Sequence, residues 1–387
     1  MKALVAGLGI AQIISWGSLF YAIGVLGPAM RIDLGVGELY LFGAFTGGLF
    51  LSGAFAPLSG RLIDRHGGRL VLSAGTLLGA ASMFLLAIAA HPLVMVAGWL
   101  LAGIAMAACL YDPAFATLSQ HTGTGYRRAV TALTLFGGFA STVFWPLSQW
   151  LLEWWGWRAT VAFYGALHLA VCLPIHLRLV PVRAARADTG PRPAHERPIA
   201  FTDSRLKWLG ACFALITFVV GVVAVHMISL LTSAGLTAGE AVTISMMVGP
   251  AQVAGRIVEL WFGRNVSAVS VGYCALALLV ASLAMLIGVN GMGIAAIAFV
   301  VAYGFGNGVL TIVRGTIPGD LFGRESLGEL LGYLSRASIV ARAAAPAAFS
   351  GLLALGLGRS QAIGVVLISA VLAVGAYFFG TRKRGAS

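Results

Sequence analysis

Charge is what this sequence lacks most. Only 10% of its 387 residues are Asp, Glu, Lys or Arg, against about 25% in an ordinary soluble domain. A soluble chain of this length would then have no solvated exterior, so soluble globular, disordered and fibrous classes are excluded. Cysteine is scarce too. Cys109, Cys172, Cys212 and Cys274 show no metal-ligand spacing and read as small apolar packing residues. There is no Walker A sequence, and no soluble stretch long enough to hold a nucleotide-binding domain, which argues against ATP-driven pumping. Paired catalytic groups, such as His/Asp clusters at helical spacing, are also missing. The chain is therefore not expected to be an enzyme, and no cofactor or metal site is indicated.

What is abundant is apolar surface. The chain is 59% hydrophobic with a mean hydropathy of +0.93, so its main solvent is lipid. A membrane helix needs about 20 mostly apolar residues. Twelve such runs are read at approximately 4–30, 39–61, 70–90, 93–117, 129–152, 158–180, 206–232, 241–263, 267–289, 293–317, 329–355 and 360–380. The first exceeds the roughly 7–15 apolar residues of a cleaved leader, and is expected to be a true span. The fold class is thus an all-α membrane protein.

The excess of basic residues, 25 against 13 acidic for a net +12, would suggest nucleic acid on a soluble protein. An even number of spans puts both termini on one side, and basic loops mark the cytoplasmic side. With cytoplasmic termini, eighteen basic residues fall on that face, and only Arg31, Arg158 and Arg359 fall outside. The +12 is then mostly topogenic charge facing anionic headgroups, and nucleic acid is not an expected partner. Trp150, Trp154, Trp155 and Trp157 cluster at the outer end of the fifth span, as an interfacial aromatic belt.

The longest loop, 181–204, is rich in Pro, Arg and Ala and nearly bisects the chain. It reads as a flexible cytoplasmic linker between six-helix bundles at 1–180 and 205–387. An internal repeat supports two halves. Gly60-Arg61-Leu62-Ile63-Asp64 matches Gly255-Arg256-Ile257-Val258-Glu259 at an offset of 195, whereas aligning Glu38 with Glu240 gives 202 and places Arg256 inside the membrane. Two related halves suit a rocking transporter whose solute binds near the midplane.

The stretch Gly60-Arg61-Leu62-Ile63-Asp64-Arg65-His66-Gly67-Gly68-Arg69 resembles the loop signature GxLxDRxGRR of the major facilitator superfamily (MFS). Gly156-Trp157-Arg158 at the start of the sixth span and Pro146 in the fifth are similar to that family as well, although Trp145 replaces a Gly and Gly98-Trp99 stands near a missing Arg. The resemblance covers the whole chain. It implies twelve spans in two pseudo-symmetric bundles, a monomer, and a cytoplasmic gate at Gly60, Asp64, Arg65, Gly67 and Arg69, with Asp64 at the N-terminus of span eleven. More weakly, Ser15-Trp16-Gly17, Tyr126-Arg127-Arg128-Ala129 and Gln252-Val253-Ala254-Gly255-Arg256 resemble monocarboxylate and oxalate/formate carriers. Arg314-Gly315-Thr316-Ile317-Pro318 with Leu321-Phe322-Gly323 is similar to bacterial facilitators that include arsenite exporters.

Ionisable groups within spans are functional candidates by default. Those singled out are Asp112, His226, Arg256, Glu259, Arg314, Arg336 and Arg342. Four arginines against two carboxylates leave a surplus of positive charge that Arg cannot shed by deprotonation. This points to an anionic solute, such as a carboxylate gripped by two parallel hydrogen bonds. Gln252, Arg256 and Glu259 form one polar stripe, as do Asn307, Thr311 and Arg314. Arg256 and Arg342 are read as solute ligands, with Gln252, Asn307, Tyr303, Trp16 and Tyr21 lining the path. Arg256 with Glu259 as an internal pair, and aromatic packing, are the competing readings. Arg314 and Arg336 read as gate or packing groups. Asp112, His226 and Glu259 are the candidates for proton coupling.

The expected function is secondary active transport of a small organic anion, such as a monocarboxylate, by alternating access. It would run as a symporter or antiporter coupled to protons or a counter-solute, in a bacterial inner (plasma) membrane. Efflux of toxic compounds, including arsenicals, drugs or metabolites, is the alternative. A non-transporting receptor is a third reading.

Overall fold

The computed structural model describes residues 2–182, 203–263 and 266–382, and every regular element in them is helical. Most of the linker, with Arg183, Arg186, Arg192 and Arg197, lies outside the described residues, as do Arg264, Lys383 and Arg384.

Ten helical runs are long and apolar enough to cross a bilayer. One of them, Pro92–Leu179, has 88 residues, which at helical rise is about 130 Å, several times the hydrocarbon thickness. It is interrupted by a 3-10 turn at Gly123–Gly125 and by Gly156, whose φ of 74° suits glycine. Divided there, it makes three crossings, so the described residues carry twelve. Spans one to six are Lys2–Leu34, Glu38–His66, Gly68–Ala87, 92–122, 126–155 and 157–179. Spans seven to twelve are Ser204–Thr232, 238–262, Ala268–Ile287, Gly293–Phe322, Leu327–Ala354 and Arg359–Thr381.

The two halves repeat at an offset near 200. Spans three and nine begin and end 200 residues apart. Arg158 donates from Nη2 to the Ala89 carbonyl at 2.8 Å, just past span three. Arg359, 201 residues later, donates to the Leu286 and Val289 carbonyls at the end of span nine, at 2.8 and 3.3 Å. This overturns the 195 register. Gly255-Arg256 is not the twin of Gly60-Arg61, which lies in the last two turns of span two; it lies further inside span eight, and Arg256 is only 4% exposed.

Close helix crossings rest on small residues, as expected where lipid gives no hydrophobic drive to association. A Cβ on Gly103 of span four would overlap the Gly48 carbonyl of span two. The repeat has the same crossing, where a Cβ on Gly304 would come within 2.8 Å of the Val248 carbonyl. Gly255 meets Phe305 in the same seam, with 2.5 Å between its would-be Cβ and that carbonyl.

Span four is broken at Leu110, which is extended between Pro92–Cys109 and Tyr111–Thr122. Pro113 has no N–H to offer the Cys109 carbonyl. The buried Gln12 amide of span one meets that need, donating to the Cys109 carbonyl at 2.8 Å and to that of Leu110 at 3.3 Å. Tyr111 and Asp112 therefore open the second segment next to a repaired break. Two π-turns also widen this half, Gly17–Tyr21 in span one and His168–Cys172 in span six.

The chain forms two compact units, Met1–Pro191 with Gly323–Arg336, and Arg192–Phe322 with Ala337–Ser387. Span eleven is thus divided, and its first turns belong to the N-terminal unit. Cys109, Cys172 and Cys212 are buried, while Cys274 is on an exposed face. Trp150, Trp154 and Trp155 are exposed and in ring contact, whereas Trp157 is buried.

Candidate functional site: a cytoplasmic lock and buried arginines

Three groups of side chains stand out, and each is built by a local feature of the chain. The first is in the N-terminal unit. Span two ends at His66, and Gly67, with φ 85° and ψ 162°, reverses the chain in a single residue before span three starts at Gly68. Few residues but glycine tolerate that backbone. One turn earlier, Asp64 points at the start of span eleven. Its Oδ2 accepts from the Glu329 N–H at 2.9 Å and its Oδ1 from the Gly328 N–H at 3.2 Å. A carboxylate on the free N–H groups of a helix N-terminus satisfies them and gains from the helix dipole.

This contact needs an absence of side chains. Cβ atoms on Gly60 and Gly328 would each run into the other's carbonyl, and one on Gly332 would be 2.5 Å from the Ala56 carbonyl. Around the crossing, Arg61 lies 3.6 Å from Glu329. Arg324 donates to the Gly123 carbonyl and sits 4.7 Å over the Tyr126 ring. Asp112 accepts from the buried Ser335 hydroxyl. Arg65 and Arg336 are exposed. Arg69 turns away, donating to the Val180 carbonyl at 2.7 Å and capping span six. Gly328, Gly332, Arg324 and Ser335 are not among the residues singled out from sequence. The four-residue spacing of Gly328 and Gly332 is the signal that would have found two of them.

The second group is an aromatic cluster in the same unit. The Trp16 ring lies 5.2 Å from Phe20 and from Tyr111, and 6.2 Å from Tyr21. Tyr21 in turn meets Trp145 edge-on at 5.9 Å. Trp145 is half exposed, Trp16 and Tyr21 partly so.

The third group is in the C-terminal unit. Arg256 and Glu259 are 4% and 6% exposed and one turn apart on span eight. The Arg256 Nε donates to the Gly308 carbonyl of span ten at 3.4 Å. That approach is possible because Gly308 has no Cβ to strike the Gln252 backbone. Gln252 and Asn307 are half-buried beside this seam. Tyr303, one turn before Asn307, is 2% exposed and feels the charge of Arg342. Arg342 packs with its backbone against Gly221 of span seven. His226, also on span seven, is 3.3 Å from the Pro346 carbonyl and stacks on Phe349 at 4.9 Å. Arg314 is half-buried on span ten.

His168 and His176 were missed by the charge inventory. Both are fully buried in span six. They stand in an apolar run without any charge pattern to mark them.

The sequence profile of the Major Facilitator Superfamily matches residues 8–346. The chain belongs to the Major Facilitator Superfamily. MFS proteins are transporters rather than enzymes, and this chain is a multi-pass membrane secondary transporter of that family. Solved MFS structures share the fold over its length. The FucP transporter in its outward conformation aligns with a TM-score of 0.80 at 12% identity, covering 98% of this chain and 99% of that one. The human organic anion transporter MFSD10 (TETRAN) aligns with a TM-score of 0.73 at 18% identity, covering 98% and 99%. A variant of the E. coli fucose:proton symporter FucP gives 0.74 at 13% identity, covering 98% of each chain. Comparison with curated proteins found no match.

Proposed function

We propose that this MFS protein carries a small organic anion, such as a monocarboxylate, by alternating access, with a proton or counter-solute as the coupled species. The carrying observation is Arg256, a permanently charged group only 4% exposed within span eight. Arg256, Arg314 and Arg342 belong to spans eight, ten and eleven, and are taken as intramembrane charges in excess of Glu259. An anionic solute offsets that excess, and a guanidinium holds a carboxylate through paired hydrogen bonds. In the C-terminal unit Arg256 and Arg342 take the charge and Gln252, Asn307 and Tyr303 supply its polar surroundings; Trp16 and Tyr21 are the candidate path-lining aromatics of the N-terminal unit.

In this reading the Asp64–span eleven contact is the cytoplasmic gate, with Gly60, Gly67, Arg314 and Arg336 serving it, and Arg65 and Arg69 holding the loop. Asp112, Glu259 and His226 are the candidate proton carriers. The protein works as a monomer in a bacterial inner (plasma) membrane. Uptake into proteoliposomes against a panel of mono- and dicarboxylates, sugars, cationic drugs and trivalent arsenic tests the reading. Carboxylate uptake lost in Arg256→Gln and Arg342→Gln supports it. Movement of cationic drugs or arsenicals with both variants active would establish the efflux alternative instead.

A further inference from the structure

The fully buried rings of His168 and His176 each have one nitrogen on a hydroxyl, the His176 ring also meets the Leu72 backbone carbonyl, and the second nitrogen of each meets no side chain among the described residues. His168 Nε2 is 2.9 Å from Ser18 Oγ, and His176 Nδ1 is 2.8 Å from Thr76 Oγ1. Left over are His168 Nδ1 and His176 Nε2, both buried. Ser18 donates its own proton to the Ile14 carbonyl at 2.7 Å, so it accepts from His168. That fixes the Nε2–H tautomer and leaves Nδ1 as a bare base. The Cε1 edge of the ring faces Gly79 of span three, where a Cβ would stand 3.2 Å from Cε1 and 3.4 Å from Nδ1. Gln12 Oε1 and Ser73 Oγ are further buried polar atoms without a partner among the described residues of the same half. Such atoms call for ordered water.

The hydrogen bond also joins the two π-turns, because Ser18 lies in Gly17–Tyr21 and His168 opens His168–Cys172. π-turns recur at functional sites. The eight residues from His168 to His176 span about 12 Å toward the cytoplasmic end of span six. Ser18 falls between Trp16 and Tyr21 of the aromatic cluster. The ionisable neighbours are Tyr164, Cys172 and Arg178 on span six itself and Cys109 on span four, whose thiol lies against Ser15. Span three presents the charged Arg69, which reaches the Val180 carbonyl one turn beyond His176, with Ser73, Thr76 and Gly79, and span one presents Ser15 and Ser18.

We propose that His176 and His168 form a proton relay inside the N-terminal unit. A proton enters from the cytoplasmic end through water at His176 Nε2 and is bound at His168 Nδ1. An imidazolium there has no acceptor for its new N–H in the present packing. Holding the proton therefore requires the joined π-turns to rearrange, and unwinding one π-turn by a residue rotates the helix beyond it by about 100°. The wall at Trp16 and Tyr21 moves with Ser18. As a coupling device the relay rests on the transport reading above; as a proton site it stands without it.

The test is nitrogen NMR of the full-length protein labelled with 15N-histidine in lipid vesicles, titrated from about pH 8 down to about pH 3, because burial disfavours the charged ring. The His168 and His176 signals are assigned by their loss in His168→Gln and His176→Gln. Both rings should pass from neutral to imidazolium within that range, and the His168 midpoint should move in Ser18→Ala and in His176→Gln. Rings that stay neutral throughout overturn the proposal. In vesicles, His168→Gln should cut pH-driven accumulation of carboxylate about tenfold while leaving carboxylate exchange intact; unchanged accumulation also overturns it. Wild-type protein that moves no carboxylate at all would defeat the transport reading, and the titration would still decide the proton site.

Discussion

Asp64 and Glu329 are 265 residues apart in sequence, and the carboxylate of one accepts the backbone N–H of the other at 2.9 Å. The bond caps span eleven from outside its own helix. Replacing such a cap by Ala costs about 1 kcal/mol, roughly a factor of five in an equilibrium. Asn keeps the acceptor and loses only the charge on the dipole. If this contact is the cytoplasmic gate, Asp64→Ala should open it more often, and Asp64→Asn less so. Maleimide labelling of a cysteine placed at the buried Ser335, in a background lacking the native cysteines, reads this out. Its rate should rise about fivefold in the Ala variant and by less in the Asn variant.

The glycine crossing beneath that cap makes a sharper prediction. At Gly60 and Gly332 an added Cβ meets backbone, which cannot swing aside. Gly60→Ala and Gly332→Ala should both raise Ser335-site labelling, more than Asp64→Asn does. Gly43 and Gly53 lie in the same span, and Gly43 faces open space. Gly43→Ala should therefore leave labelling unchanged, which separates a crossing effect from general helix changes.

The paired outer braces are unequal. Arg359 serves three carbonyls, those of Leu230, Val289 and Leu286. Arg158 serves the Ala89 carbonyl and Asp33, in a pair that is 40% and 44% exposed. Two of the three carbonyls keep a second donor, the Ser233 hydroxyl on Leu230 and the Val289 N–H on Leu286, so losing Arg359 costs roughly 1–3 kcal/mol in total, whereas an exposed ion pair adds little. Arg359→Ala should lower the apparent Tm by several degrees, and Arg158→Ala by distinctly less. Thermal unfolding in detergent checks both.

Gln12 gives a fourth case. Gln12→Leu keeps the volume and removes the donor that serves the carbonyls of Cys109 and Leu110. The Ala114 N–H still serves Leu110, so the Cys109 carbonyl is the one left buried and unmet, at a cost of about 2 kcal/mol, read as a lower apparent Tm. Gln12→Glu should be at least as harmful, since a carboxylate has no proton to give them.

These residues also show what sequence can and cannot reveal here. The spans were legible because hydropathy is a bulk signal, and Asp64 because its loop carries a recognisable spacing. The repeat register was misleading at 195, since Gly-Arg with an acidic residue three positions after the Arg occurs in both halves for different reasons: a crossing with span eleven near the end of span two at Gly60, a buried stripe inside span eight at Gly255. The break at Leu110 was hidden because an extended leucine is as apolar as a helical one. Only Pro113 and the polar Gln12 hinted at it. His168 and His176 escaped because their significance depends on Ser18 and Thr76, which are 150 and 100 residues away. The π-turns have no periodicity signature over five residues.

The central claim is that intramembrane arginines of the C-terminal unit receive an anionic solute. Its most direct test is carboxylate uptake into proteoliposomes by the wild type, Arg256→Gln and Arg342→Gln, each checked for folding by its apparent Tm. Saturable uptake is expected of the wild type, with at least a tenfold loss of kcat/KM in both folded variants, the size of one lost charge-assisted contact. Equal carboxylate uptake by all three proteins would contradict it.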